Sequence, residues 1–392
     1  MKYIKRILEK KLAEYLEIFP VTAVTGPRQS GKSTMLKNLK GSSYKYATFD
    51  DPLVTDFFYS DPKGFLEEYS SPVIFDEVQK VPEIFPYIKM AVDNDRDNYG
   101  KYILTGSAQF SLINKITESL AGRIGMLSLL PFQLKEIPYS AEKKQIVFGS
   151  YPELIGRNYK SHREWYASYF DTYIERDVRT LFNIGNLRDF RKFVQLLAAR
   201  CSAELNMSVF SRELGVDVKT IKKWISVLEA GYIIFLLQPY HKNLGKRIVK
   251  RPKIYFYDTG LVCYLTGTDS IETLEKGPLN GPVFENYFIA EIKKNIMHTD
   301  SAVNLYYYRT NSGLECDLIM ENKINNEISY LEIKTGSTPK YIMIENIKRV
   351  LKLDNGNLSK NGFLIYRGKD RGNFTSDIQY INYAEYLNKI TG

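Results

Sequence analysis

Cysteine is scarce in this chain: Cys201, Cys263 and Cys316 are the only ones among 392 residues, far apart and in no metal-ligand spacing. Their rarity argues against a disulfide framework and a zinc module, and it points to a reducing compartment. Histidine is as rare. His162, His241 and His298 lie in polar contexts and form no catalytic pattern, so surface positions are expected for all three. Long apolar runs are missing too: the longest, near "YIIFLL", falls far short of the roughly 20 residues that a membrane-crossing helix needs. The opening "MKYIKRILEKKLAEYLEIF" mixes charges throughout and lacks an uninterrupted apolar segment, which predicts an amphipathic helix and no secretory signal. There are no internal repeats or low-complexity tracts. A cytoplasmic chain without a membrane partner is expected.

What is present describes a globular protein. With 44% hydrophobic and 25% charged residues, extended disorder is not expected. The length allows about two to four domains. Lys and Arg number 54 against 45 Asp and Glu, a net charge of +9 that suits a polyanion such as nucleic acid.

The strongest pattern is "TGPRQSGKST" at residues 25–34. Gly26, Pro27, Arg28, Gln29, Ser30, Gly31, Lys32, Ser33 and Thr34 follow the form G-x-x-x-x-G-K-S-T. The glycines permit backbone conformations that turn successive amide N–H groups inward, a cradle for phosphate oxygens. Lys32 would reach the β- and γ-phosphates and the Ser33 hydroxyl would ligate Mg2+. "VTAVT" before the loop reads as a buried strand, and "KSTMLKNL" after it opens a helix whose N-terminus favours anions. An ATP and Mg2+ site is expected there. Downstream, "PVIFDEVQK" delivers Asp76 and Glu77 to the end of an apolar strand. Asp76 would hold the magnesium and Glu77 would polarise the attacking water. A further strand, "KYILTGS", ends in Thr105 and Ser107, either as contacts to the γ-phosphate or lytic water or as an ordinary strand-ending turn. It is expected between the two motif strands, so that all the polar tips share one edge of a parallel sheet.

"TGPRQSGKST", "FDD", "VIFDEVQ", "ILTGSAQFSL", "LAGRIGMLSLLPFQLKE" and "YIERDV", in that order, resemble a large family of prokaryotic AAA-type ATPases. In that family the ATPase module precedes a domain of unknown function. The resemblance implies an α/β AAA-type core with Lys32, Ser33, Asp76 and Glu77 in the matching positions. Arg123 of "LAGR" takes the place of an arginine finger or nucleotide sensor, the alternative being a structural ion-pair partner.

From Leu187 the pattern becomes helical. A short helix ending at Gly215, a tight turn, and a second helix capped by Asp217 predict a helix-turn-helix, with Val218, Ile221, Ile225 and Leu228 on its apolar face. "GYIIFLLQPY" and "RPKIYFYD" supply two wing strands around "HKNLGKRIVKRPK", which holds six Lys or Arg in thirteen residues. DNA contact would fall to Lys219, Lys222, Lys223, Lys246, Arg247, Lys250 and Arg251. The alternative is a protein-interaction module with a solvated basic hairpin.

The C-terminal part runs helix, three strands, helix, strand: "GPVFENYFIAEIKKN", then "VNLYYYRT", "LECDLIM" and "ISYLEIKTG", then "PKYIMIENIKRVLKL" and "GFLIYRG". Asp317 lies in the second strand and Glu332-x-Lys334 in the third, fifteen residues later. This segment resembles the PD-(D/E)XK nucleases, a restriction-endonuclease-like fold. In that reading Asp317, Glu332 and Glu285 bind magnesium, Lys334 activates a water, and Glu291 could replace Glu285. The alternative is a retained fold without cleavage, its acids paired with a base. The expected units are residues 1–185, 186–265 and 281–392, with the stretch "TDSIETLEKGPLNGP" as a linker. Together they predict an ATPase coupled to DNA binding or processing, and a possible homo-oligomer. The alternative is a nucleotide-controlled protein-interaction switch.

Overall fold

The computed structural model describes residues 3–39, 44–106, 119–138, 142–173, 178, 186–240, 251–354, 356 and 358–390. Ser107, His241, Lys246, Arg247 and Lys250 lie outside the described residues, as does most of "YIERDV".

The first part contains α1 (Leu8–Leu16), β1 (Val21–Thr25), α2 (Lys32–Lys37), β2 (Lys45–Thr48), α3 (Pro52–Ser60) and α4 (Pro62–Glu68). It continues with β3 (Val73–Asp76), α5 (Ile84–Asp93), β4 (Tyr102–Thr105) and β5 (Ile124–Ser128). Two Asp-Pro pairs start α3 and α4: the carboxylates of Asp51 and Asp61 accept from the amides of Leu53 and Gly64, each at 2.9 Å, and proline fills the first helical position. The strands form a parallel five-stranded sheet in the order β2-β3-β4-β1-β5, so β4 lies between the two motif strands as expected. Alternate residues leave on opposite faces. Val21, Ala23, Phe75 and Leu104 join an aromatic cluster with Phe58, Phe65 and Phe85, while Val24, Ile74, Ile103 and Leu127 pack on Leu8 and Met35. Because both faces are covered, these strands are continuous apolar runs in sequence.

Next come α6 (Glu142–Phe148), α7 (Pro152–Gly156), α8 (His162–Tyr173), α9 (Leu187–Ala198), α10 (Met207–Leu214) and α11 (Val218–Ala230). Gly215, at φ 68°, ends α10, and the Asp217 carboxylate caps α11 by accepting from Lys219 N at 2.6 Å. The buried face of α11 is Ile221, Trp224, Ile225, Val227 and Leu228; Val218, expected there, is 41% exposed on the lysine side. Trp224, one residue short of two turns further on, is buried and supplies the bulk of that face.

After the hairpin β6 (Ile234–Pro239) and β7 (Lys253–Phe256) come α12 (Thr259–Thr266), α13 (Ile271–Lys276) and the long α14 (Asn280–Thr299). The stretch read as a linker is thus helical. Ser270 caps α13 by accepting from Thr273 N at 3.0 Å, and Leu274 is buried. The rest is β8 (Val303–Arg309), β9 (Glu315–Asn322), β10 (Glu327–Lys334), α15 (Glu345–Leu353), β11 (Ser359–Tyr366), β12 (Gly372–Asn373), β13 (Ile378–Asn382) and α16 (Tyr383–Lys389). The expected helix–three strands–helix–strand order is present, and β12, β13 and α16 extend it.

The hairpin does not stand apart from this C-terminal sheet. β6 runs parallel to β8, pairing Gln238 with Tyr306 and Pro239 with Tyr307, and one eight-stranded sheet results: β12-β13-β11-β10-β9-β8-β6-β7. α14 lies at the centre of a single apolar core that includes Phe132, Tyr151, Phe193, Trp224, Phe256, Phe288 and Leu331. Among the described residues no helix is long and apolar enough to cross a membrane.

Candidate functional site

The loop after β1 has the backbone its sequence requires. Gly26 and Gly31 sit at φ 140° and 95°, and a Cβ on Gly26 would meet the Leu129 carbonyl oxygen at 2.2 Å. Only glycine fits. Lys32 folds over the loop and its Nζ donates to the carbonyls of Gly26 and Pro27 at 3.1 and 2.9 Å. Ser30 Oγ is buried without a hydrogen-bond partner. From outside, buried Arg6 braces the same loop: Nη1 donates to Ser30 O at 2.8 Å, Nη2 to Leu130 O at 2.6 Å, and Nε meets Glu136 at 3.1 Å. A cradle closed to side chains, with an ammonium resting on its carbonyls and a hydroxyl left unmatched, fits a triphosphate.

Asp76 ends β3 and is buried. It accepts from Thr105 Oγ1 at 2.7 Å and from the Tyr46 hydroxyl. Both donors are neutral hydroxyls, so neither brings a positive charge to the carboxylate, and Ser33 sits beside Tyr46. Sequence reading missed Tyr46. Its signal was register: Thr48 of β2 pairs with Asp76, and Tyr46 points to the same side two residues earlier. Thr105 spends its donor on Asp76, which gives it a different immediate partner from the phosphate or water anticipated. Glu77 adopts φ 59°, ψ 39°, a left-handed conformation costing a non-glycine residue about 1–2 kcal/mol. Strain of this kind collects where a side chain must be aimed. Burial raises the Glu77 carboxyl above its ordinary range, opposed by the Gln79 amide and by the Lys32 charge.

Arg123 precedes β5 and forks onto Asp93, with Nε–Oδ1 at 2.6 Å and Nη2–Oδ2 at 3.0 Å. Its carbonyl accepts from Val21 N, at the start of β1, whereas the phosphate loop follows the other end of that strand. Arg123 therefore cannot sense nucleotide in its own chain's loop, and the ion-pair alternative is what the structure contains. Lys219, Lys222 and Lys223 are exposed on one side of α11, and Arg251 is exposed just before β7.

The C-terminal acids do assemble. Lys334 Nζ lies 2.7 Å from Glu332 Oε1 and 4.0 Å from Asp317 Oδ2, and Asp317 Oδ2 also accepts from Ile333 N at 2.8 Å. Glu332 Oε2 is buried without a partner. Glu285 accepts from the Tyr255 hydroxyl at 2.6 Å and from Lys253 at 3.2 Å. Burial, with the Asp317 charge adding to it, pushes Glu332 up to about 8; Glu285 is pushed up to about 7 by burial and Asp317 against the pull of Lys253. Lys253 was missed in sequence because it belongs to the hairpin and not to the segment that carries the acids.

Two expectations fail here. Glu291 cannot replace Glu285, because it faces the first sheet's side, accepting from Leu134 N at 2.6 Å and from Lys294 at 2.8 Å. His298 is fully buried, not superficial: Leu130 N donates to its Nε2 at 3.0 Å and the Gln133 amide lies 2.6 Å from Nδ1. Both errors share a cause, since α14 is covered on most sides by elements remote in sequence. α14 thus runs from Glu285 of the acidic cluster to Leu130 and Leu134 after β5, and Tyr232 after α11 makes a second link by meeting Ser128 Oγ at 2.7 Å.

Comparison with known proteins finds three family matches along the chain. The AAA domain family matches residues 19–138, and domains of unknown function match residues 140–272 (DUF8612) and 280–386 (DUF4143). The uncharacterized proteins Rv2008c of Mycobacterium tuberculosis and Mb2031c of Mycobacterium bovis are each 30% identical over 337 residues, 86% of this chain and 75% of theirs. Among solved structures, the Walker-type ATPase PABY2304 of Pyrococcus abyssi is 17% identical with a TM-score of 0.46, covering 66% of this chain and 94% of that one. A RuvB variant of Thermotoga maritima is 15% identical with a TM-score of 0.31, covering 58% and 88%. The chain belongs to one family with the mycobacterial proteins, and its N-terminal part is an AAA-type P-loop ATPase domain followed by domains of unknown function.

Proposed function

We propose that this ATPase uses its nucleotide state to control contact with DNA. The observation that carries the reading is the convergence of Lys32, Asp76, Thr105 and Glu77 at the carboxyl edge of one parallel sheet, where α/β folds bind ligands. Residues 26–34 would wrap the phosphates of ATP, with Lys32 moving from its own loop carbonyls to the β- and γ-phosphates. Ser33 and Asp76 would hold Mg2+, which supplies neutralisation of phosphate charge when bound. Tyr46 and Thr105 orient Asp76, and Glu77 orients and polarises the attacking water. Arg123 would act only as a finger presented to a neighbouring copy, which requires a homo-oligomer and release of Asp93.

The second unit, residues 186–265, is read as a winged helix-turn-helix with α11 in the major groove. Its support is the exposed side formed by Val218, Lys219, Lys222 and Lys223, whose ammonium groups have no partner among the described residues. The third, residues 281–392, is read as a PD-(D/E)XK-like fold around Asp317, Glu332 and Lys334. The lysine pairing of its acids favours a fold that does not cleave. A cytoplasmic setting fits the three free, buried thiols.

The test is ATP hydrolysis with and without duplex DNA, alongside DNA binding by fluorescence anisotropy over a series of salt concentrations. Stimulated turnover and salt-sensitive binding are expected. Replacing Lys219, Lys222 and Lys223 with alanine should make the log–log salt slope shallower by up to about 2.7, at about 0.9 per phosphate contact. An unchanged slope rejects α11 as the DNA contact. Nucleotide-dependent capture of a protein with no DNA binding would favour the interaction-switch reading instead.

A further inference from the structure

The C-terminal cluster holds more charge than its nuclease-like motif accounts for. Four carboxylates, Glu285, Glu315, Asp317 and Glu332, surround two ammonium groups. Lys334 serves Glu332 and Asp317 from within the motif. Lys253 serves the others: its Nζ lies 2.7 Å from Glu315 and 3.2 Å from Glu285, and the residue is only 3% exposed. Lys253 also lies over the Tyr307 ring at 5.4 Å. A buried ammonium is expensive unless paired, so its seat is specified by these acids. A divalent ion needs the same oxygens. Among the described residues no three Asp, Glu, His or Cys side chains converge as metal ligands, these acids being held instead in pairs around an ammonium. The arrangement therefore does not fit the magnesium that the nuclease resemblance implies.

We propose that Lys253 is the internal counter-ion of this cluster, held by Glu285 and Glu315 beside Asp317 and Glu332, so that the cluster takes up no divalent cation while Lys253 is in place. Lys253 comes from β7, outside the segment 280–386 that carries the motif, and β6 fastens that hairpin to β8. The site is thus composite: one unit supplies the acids and Lys334, and the other supplies the second ammonium. An ammonium so placed repels a divalent cation at contact range and also occupies its ligands. The inference concerns the cluster on which the nuclease-like reading rests, but stands on these distances alone.

The experiment is a manganese titration of the full chain without nucleotide, in an Asp76→Asn background that removes the carboxylate of the phosphate-loop metal site, read by the electron paramagnetic resonance of the free ion. The Asp76→Asn parent should show no cluster site. Lys253→Met should gain one, with affinity higher by at least about tenfold, and Lys253→Met/Asp317→Asn should lose it again. Lys253→Arg keeps the charge and should stay inert. If Lys253→Met fails to fold by circular dichroism, Lys253→Met/Glu285→Gln, which removes one acid with the base, carries the same expectation. A manganese site in the parent that disappears with Asp317→Asn overturns the proposal, as does the absence of any gain in a folded Lys253 variant. Plasmid nicking is scored separately: manganese uptake without nicking supports the counter-ion and sinks only the cleavage reading.

Discussion

Two acidic pairs in this chain invite the same cation reading, one adjacent at the end of β3 and one split between β9 and β10, yet their surroundings differ in one decisive respect. Asp76 is held by the hydroxyls of Tyr46 and Thr105, which orient a carboxylate without neutralising it. Asp317 and Glu332 are held by an ammonium, and Glu285 beside them by a second. A cation entering the first site finds an uncompensated charge on a fixed rotamer. One entering the second must displace a lysine that has nowhere better to go. The comparison teaches that an acidic motif reports a cation site only after its neighbours' charges are counted.

The largest effect should come from Lys32 of the phosphate loop. Lys32→Ala removes a charged donor to two phosphates and should weaken ATP binding by at least about 100-fold, measured by calorimetry. Unchanged affinity would mean that the carboxyl edge of the first sheet is not the nucleotide site, and the contrast would collapse. Glu77→Gln sharpens it. Binding should persist while turnover slows by roughly 100-fold, the scale of general-base effects. Wild-type turnover in that variant would reassign Glu77 to a purely structural role, explaining its left-handed backbone in some other way.

The smallest effect concerns the helix that joins the two regions. Burial, together with the charges of Arg6 and Lys294, holds the His298 imidazole well below its ordinary pKa. It stays neutral when folded and takes up a proton on unfolding below about pH 6.5. Stability should therefore fall as pH drops from 7 to 5, by at most about 1.4 kcal/mol per unit from this residue. Urea unfolding at the two pH values checks it: the loss should be smaller in His298→Gln. Equal losses would show that α14 is not fastened to the first region through a neutral ring.

Much of the fold was legible because its determinants are local. The G-x-x-x-x-G-K-S loop, Gly215 and the Asp217 cap each need only neighbours in sequence. Hydrophobic runs announced β1, β3 and β4 because both faces of their sheet are covered. Other features left no local trace. "TDSIETLEKGPLNGP" looked like a linker, but Ser270 and Leu274 make it a docked helix. His298 looked superficial because its polar neighbours, Asn295 and Lys294, are themselves buried against the first region.

By itself the sequence determined the phosphate-binding loop, the order of the strands along the chain, and which residues could carry acid, base or cation chemistry. These follow from backbone freedom, from periodicity and from side-chain type, all of which act over a few residues. Only the tertiary structure decided what each charge would meet. Tyr46 reaches Asp76 from 30 residues away, Arg6 reaches Glu136 across 130, and Lys253 reaches Glu285 across 32. Electrostatic energy depends on distance in space and on burial, neither of which is written along the chain, so the difference between an acid kept for a cation and one already paired appears only once the chain has folded.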